Sequence, residues 1–363
     1  MEPFDAIIFL LFFDCNEVQM EKIVETVPAR KVSEYDAVSA YFGNKKVCMF
    51  DIETTGLSPF KSFTYLIGVN IIEDGEWKII QLFNDDGQSE PELIRTFQSM
   101  IDGYDVLVEF NGDRFDIPYI QKRMGYIRQK FGISLTDNFR KIESFDLMKM
   151  ISPYKFALGL PNIKQKTIEK YLGINRLDMY NGGQLIDVYL GYLAGRDEKS
   201  RKLVLRHNRD DMEGMIFLSN ILATQMMAEG QFDVGNIDTE LDNDTLMLRL
   251  ELELRSGLKN KIFTSMEGVR LSASDSLAQL RIPIYTGVMN YYPEKTKAEG
   301  CESYEGYFVP SFNKTPDILA EYKAEPKSKE TYIMLNDTFL GNREFVRQYA
   351  GNVINSVLNY RIK

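Results

Sequence analysis

Five side chains in three short clusters could together handle a phosphate ester. Asp51 and Glu53 lie in Phe50-Asp51-Ile52-Glu53-Thr54-Thr55-Gly56-Leu57. Asp116 lies in Phe110-Asn111-Gly112-Asp113-Arg114-Phe115-Asp116-Ile117-Pro118. His207, the only histidine of the chain, precedes Asp211 by one helical turn in Arg206-His207-Asn208-Arg209-Asp210-Asp211. Carboxylates gathered in one place repel unless a cation neutralises them. Mg²⁺ and Mn²⁺ accept carboxylate and water oxygens, so either suits such a set. An imidazole, with an ordinary pKa near ~6.5, can orient or deprotonate a water bound beside those acids. In this order, the clusters look like a two-metal nuclease site.

The elements that must carry these residues are legible from local pattern. Val47-Cys48-Met49-Phe50 is an apolar run that reads as a buried strand, and residues at i and i+2 on a strand share a face. Asp51 and Glu53 are thereby expected side by side at its end. Thr54-Thr55-Gly56 turns the chain, and Gly56 lets backbone approach a substrate without a Cβ in the way. Val106-Leu107-Val108 leads into the second cluster, after which a helix runs toward Lys130. Asp116 is expected as its N-cap with Pro118 in the first turn. Helical periodicity from Glu198 to Met226 puts His207 and Asp211 on one face.

Each cluster alone also has a plain structural reading. Asp51 and Glu53 could be strand-end acids at a turn, Asp116 a cap only, and His207 with Asp211 a solvated surface pair. The full string D-I-E-T-T-G-L is far more specific than D-x-E, and the joint occurrence of four acids with a lone histidine is improbable by chance.

The three motifs, D-x-E, N-x-x-x-F-D-x-P and an aspartate with a preceding histidine, resemble those of the DEDD superfamily of 3′–5′ exonucleases. The resemblance covers roughly residues 46 to 226. Ser144-Phe145-Asp146-Leu147 and the stretch from Leu160-Pro161-Asn162-Ile163-Lys164 to Lys170-Tyr171-Leu172-Gly173 resemble most a bacterial subgroup of ribonuclease H-like nucleases. It implies a ribonuclease H-like α/β fold, a mixed sheet flanked by helices. It implies that Asp51 bridges two divalent cations, Mg²⁺ or Mn²⁺, and that Glu53 and Asp211 complete the shell of the one holding the attacking water. Asp116 would support the second cation, and His207 would orient or deprotonate the water. Leu57 and Phe115 would pack near the terminal bases, with Thr54, Gly56 and Asn111 along the phosphates. One departure stands out: family members with histidine usually place it one residue farther from the aspartate. Here that longer spacing reaches Met212, which cannot bind Mg²⁺, so Asp211 is kept as the ligand.

With 363 residues the chain has room for two domains. Residues 1–45 read as an N-terminal extension, 46–228 as the nuclease-like domain, 229–244 as an acidic linker and 245–363 as a smaller β-rich domain ending in a helix. In the nuclease-like part, strands are expected at Lys46–Glu53, Phe63–Ile72, Glu76–Phe83 and Tyr104–Phe110, with a hairpin at Asp74-Gly75. Helices are expected at Pro91–Ile101, Ile117–Lys130, Asn162–Leu172, Gln184–Leu193 and Glu198–Met226. Beyond the linker, Leu246–Leu254 alternates leucines with charges, a half-buried strand pattern. Further strands are expected at Lys261–Ser265, Gln279–Tyr285, Tyr307–Pro310 and Thr331–Leu335, and a helix at Arg343–Tyr360.

A net charge of −10 is not that of a general nucleic-acid binder. Its distribution is uneven: between Arg114 and Lys170 there are 12 Lys/Arg against 5 Asp/Glu, which could grip a phosphate backbone or simply form solvated helix faces. Cys15, Cys48 and Cys301 are odd in number and scattered, so zinc is not expected and reducing conditions fit best. The apolar run Ala6–Phe13 is too short to span a bilayer and is preceded by acids rather than bases. A cytoplasmic protein without membrane association is therefore expected. Tyrosines of the C-terminal part, among them Tyr285, Tyr291, Tyr292, Tyr304, Tyr307 and Tyr332, could stack bases, fill a core or meet a protein partner. The leading expectation is a metal-dependent 3′–5′ exonuclease on single-stranded or frayed DNA or RNA. Its alternatives are a catalytically weak or inactive nuclease-like module that binds nucleic acid or a protein partner, and an oligomerisation protein built on the β-rich part.

Overall fold

The structure, a computed structural model, describes residues 20–27, 37–174, 182–291, 302–312, 316–325 and 331–361. The expectations for Ala6–Phe13, Cys15, Tyr292 and Cys301 lie outside the described residues. The chain divides into two compact units: Met1–Pro28, Lys46–Ser144 and Leu177–Glu213 form the first, and Ala29–Lys45, Phe145–Arg176 and Gly214–Lys363 the second.

The first unit is built on a mixed six-stranded sheet. Its strands are β1 (Met20–Thr26), β2 (Val47–Thr54), β3 (Thr64–Glu73), β4 (Glu76–Asn84), β5 (Val106–Glu109) and β6 (Glu143–Asp146), in the order β1-β4-β3-β2-β5-β6. β2 pairs antiparallel with β3 and parallel with β5. Helices α1 (Glu90–Ile101), α2 (Asp116–Phe131), α3 (Gly182–Gly195) and α4 (Glu198–Leu218) accompany it. The predicted strands and helices of this part are present within a few residues of their expected bounds. Strands β1 and β6 were not expected. Met20–Thr26, inside the presumed extension, is an edge strand paired with β4. Its half-exposed, charge-bearing sequence MEKIVET carries no buried-strand signal. Helix α4 stops at Leu218, where the Ser219–Ile221 turn is 3₁₀ and a separate helix, Leu222–Ala228, follows.

Alternation along β2 sorts its side chains onto two faces. Cys48, Phe50 and Ile52 join one core with Ile67 and Val69 of β3, Leu93, Ile94 and Phe97 of α1, and Tyr119, Ile120 and Ile127 of α2. On the other face a second core holds Tyr65, Leu66 and Phe83 with Tyr189 and Tyr192 of α3 and Val204 and Leu205 of α4. Asp51 and Glu53 belong to this second face. Helices on both faces keep β3 buried from Thr64 to Asn70 without a break.

In the second unit, β7 (Phe232–Asp242), β8 (Thr245–Met266) and β9 (Val269–Pro283) make a three-stranded antiparallel sheet. β10 (Tyr285–Tyr291), β11 (Glu302–Pro310), β12 (Lys323–Glu325) and β13 (Tyr332–Leu335) close a small barrel in the order β10-β11-β13-β12. Helix α5 (Arg343–Leu358) follows, with the Asn342 side chain accepting from the N–H groups of Glu344 and Phe345. Most of the segment Glu229–Asp244, expected to be an acidic linker, is strand β7. Its acids are accommodated because arginines face them across the sheet: Arg281 Nε lies 3.0 Å from Glu240 Oε1, and Arg270 Nη1 2.5 Å from Asp242 Oδ2. The two strands expected at Leu246–Leu254 and Lys261–Ser265 are one continuous strand, β8.

Candidate active site

The β2 strand delivers Asp51 and Glu53 on the face that α4 covers. What lets α4 approach is a missing side chain. Gly68 of β3 is paired with Asp51, and a Cβ there would lie 2.5 Å from Met212 Cγ and 2.6 Å from Asn208 Oδ1. Two amides then fasten the helix to the sheet. Asn70 donates to the Met212 carbonyl at 2.7 Å. Gln81, paired with Gly68 on the next strand, donates to the Leu205 carbonyl at 2.8 Å and to Asn208 Oδ1 at 3.0 Å. Met212, the residue at the longer spacing from His207, is fully buried in this packing, so the helix turns Asp211 rather than position 212 toward the acids.

The result is a convergence of Glu53, His207 and Asp211, whose ligand atoms all lie within 4.8 Å of one another. His207 Nε2 stands 3.1 Å from Asp211 Oδ2 and 3.7 Å from Glu53 Oε1. The histidine side chain is only 10% exposed, so the imidazole is held between two carboxylates rather than displayed on a solvated helix. Oxygen donors with one imidazole, close packed and largely out of water, suit a hard divalent cation.

Asp116 enters from α2. It was expected to cap that helix, and it does not: the cap position is Phe115, Asp116 is the first helical residue, and its side chain points back to the sheet. There Asp116 Oδ1 accepts the Ile52 N–H at 3.2 Å. Ile52 stands between Asp51 and Glu53, so Asp116 is pinned beside the strand segment that carries both.

The five residues expected at the substrate have mixed surroundings. Leu57 is 85% exposed at the start of the loop between β2 and β3. Thr54 Oγ1 donates to the Gly56 carbonyl at 2.9 Å, and a Cβ on Gly56 would come 3.3 Å from Ser62 Cβ, so both residues shape the loop itself. Asn111 has φ of 67°, a left-handed conformation that asparagine tolerates, and a Cβ on the following Gly112 would lie 2.8 Å from Glu109 Cγ. Phe115 is half-buried against the core and its ring lies 5.4 Å from that of Tyr119.

The loop between β2 and β3 is strapped to α1 and α2. Arg123 Nε donates to Glu90 Oε1 at 2.9 Å while its Nη2 donates to Glu90 Oε2, a bidentate pair with both side chains 7% exposed. Arg123 Nη1 also donates to the Pro59 carbonyl at 2.6 Å, and Glu90 Oε1 accepts the Thr64 N–H at 2.8 Å. Arg123 is thus a buried structural residue, whereas Lys122, Arg128 and Lys130 of the same helix are exposed.

Sequence reasoning missed Gly68, Asn70, Gln81, Glu90, Arg123 and Tyr65. The available signals were a glycine and two amides inside strands otherwise apolar, and an acid one turn before the Ile94 face. Tyr65 is fully buried and stacks on Tyr189 with ring centroids 4.1 Å apart. Burial, and then the charges of Glu53, Tyr189 and Asp51, push its pKa well above the ordinary tyrosine value. Its hydroxyl therefore lies in the field of the site's carboxylates, Glu53 foremost.

Residues 48–223 match the family model RNase_H_2 of the RNase_H superfamily. That stretch is a ribonuclease H superfamily domain. No curated protein matches the sequence. Among solved structures, the family B DNA polymerase from the hyperthermophilic archaeon Pyrobaculum calidifontis is similar, with a TM-score of 0.44 and 12% identity, over 87% of this chain and 46% of the polymerase. A nuclease in its apo form has a TM-score of 0.26 and 16% identity over 53% of this chain and 86% of that one. E. coli exonuclease I in complex with a dA16 oligonucleotide has a TM-score of 0.26 and 12% identity over 59% of this chain and 56% of that one. The chain thus spans less than two thirds of the polymerase and of exonuclease I.

Proposed function

We propose that the protein is a metal-dependent nuclease, and specifically a 3′–5′ exonuclease that hydrolyses single-stranded or frayed DNA or RNA. The observation that carries this reading is the convergence of Glu53, His207 and Asp211 beside a strand whose Ile52 N–H is held by Asp116. The superfamily match over residues 48–223 supports a nuclease, and the exonuclease polarity rests on the motif resemblance.

Asp51, Glu53, Asp116 and Asp211 are the residues that would hold two divalent cations, Mg²⁺ or Mn²⁺. Such a pair would stabilise charge on the attacking and leaving oxygens of an in-line displacement. His207, whose Nε2 faces both carboxylates, would orient the attacking water or take its proton. Water oxygen bonds to phosphorus, the bond to the 3′ oxygen of the preceding nucleotide breaks, and that oxygen takes a proton from solvent to become the 3′ hydroxyl of the shortened strand. The terminal nucleotide departs as a 5′-monophosphate. Leu57, displayed at the loop, meets the terminal base.

The experiment is cleavage of 5′-labelled single-stranded DNA and RNA with Mg²⁺, Mn²⁺ or EDTA, beside Asp51→Asn. That substitution removes charge and little volume, so the fold should persist while cleavage is abolished. A metal-dependent ladder shortening from the 3′ end, absent in the variant, is expected. No cleavage of either polymer with either metal would overturn the reading in favour of a binding module.

A further inference from the structure

The pairing of β2 with β3 is interrupted beside the acids. Glu53 pairs with Leu66, but Thr54 pairs with Thr64, so Tyr65 is an extra residue opposite no partner. A bulge of this kind turns a side chain away from the face that strict alternation would give it, and such bulges recur beside active sites. Tyr65 and Leu66, adjacent in sequence, accordingly pack into the same core.

What the bulge aims is a phenol. The ring needs no hydroxyl for its stack on Tyr189, and phenylalanine would serve there as well. The hydroxyl oxygen is completely buried, so water does not satisfy it, and the side chain near enough to act on it as a hydrogen-bond acceptor is that of Glu53. Its strongest charged neighbour is Glu53, with Asp51 also near. Tyr189 differs: its hydroxyl donates to the Asn84 carbonyl at 2.7 Å, away from the acids.

We propose that Tyr65 is a positioning residue of the metal site, its hydroxyl donating a hydrogen bond to the Glu53 carboxylate and so holding Glu53 in its cation-binding orientation. This rests on the metal-site reading above and adds a residue to it. Partners that orient metal-binding carboxylates typically contribute 10–100-fold to metal affinity.

The test is Mn²⁺ titration of the full chain by calorimetry, without nucleic acid, for the wild type, Tyr65→Phe and Tyr189→Phe. Tyr65→Phe should bind Mn²⁺ about 10–100-fold more weakly while remaining folded without metal, because the ring keeps its stack on Tyr189. Tyr189→Phe should bind as the wild type does. Binding by Tyr65→Phe within about threefold of wild type, or an equal loss in Tyr189→Phe, would overturn the proposal. A wild type that binds no Mn²⁺ would overturn the metal site and this inference together. A wild type that binds Mn²⁺, weakened by Tyr65→Phe, but cleaves nothing would uphold Tyr65 and overturn only the nuclease.

Discussion

The six-stranded sheet of the first unit and the three-stranded sheet of the second solve the same problem in opposite ways. In the first, helices cover both faces and β3 is buried from Thr64 to Asn70. In the second, β8 alternates, with Leu248, Leu250 and Leu252 inside and their neighbours less buried. Most polar side chains on a covered sheet must find a partner. Asn70 and Gln81 therefore become directional ties to α4, and the tie fixes where His207 and Asp211 stand. An open sheet leaves its charges half in water, where Arg281 and Glu240 pair without fixing anything beyond the strands themselves. Chemistry that needs atoms placed to a fraction of an ångström belongs on the first kind of sheet.

That contrast can be broken by substitution. His207→Ala should lower the cleavage rate by roughly 10²–10⁴ if the imidazole is the base, measured as single-turnover cleavage of an oligonucleotide. A loss of only a few-fold would leave it a water-orienting role. Arg123→Ala leaves the Glu90 carboxylate buried without its cation and should destabilise the first unit by about 3–5 kcal/mol in urea unfolding. Unchanged stability would mean that the strap on the β2–β3 loop is not a strap. Gly68→Ala should destabilise by about 1–3 kcal/mol and slow cleavage, since the new methyl must push Met212 and with it the helix carrying Asp211. Wild-type cleavage in that variant would show that the helix has slack. Phe263→Ser on the open sheet, where the ring is 72% exposed, should change stability by no more than about 0.5 kcal/mol and leave cleavage untouched. A large loss there would erase the distinction between the two sheets.

Legibility in the sequence follows the same divide. Buried strands such as Val47–Thr54 announce themselves by consecutive apolar residues, and the motif acids at their ends could be named together with His207. Edge strands could not be read this way. Met20–Thr26 and the acid-rich Phe232–Asp242 lack that signal, because their stability comes from neighbours that local pattern does not reveal. The same limit hid the positioning residues. Asn70 meets the carbonyl of Met212, and Arg123 meets Glu90, pairings made only by the finished fold. Asp116 shows how a local rule can be overridden: its type and place suit a helix cap, yet the Ile52 N–H across the sheet takes its oxygen instead.

The bond from Ile52 to Asp116 also supplies a spectroscopic gauge. The Ile52 amide proton is shared with a carboxylate that a cation would compete for, so its chemical shift records how Asp116 divides itself between backbone and metal. A single backbone resonance, far from any solvent-exposed probe, thereby reports occupancy of the centre without a substrate or a turnover.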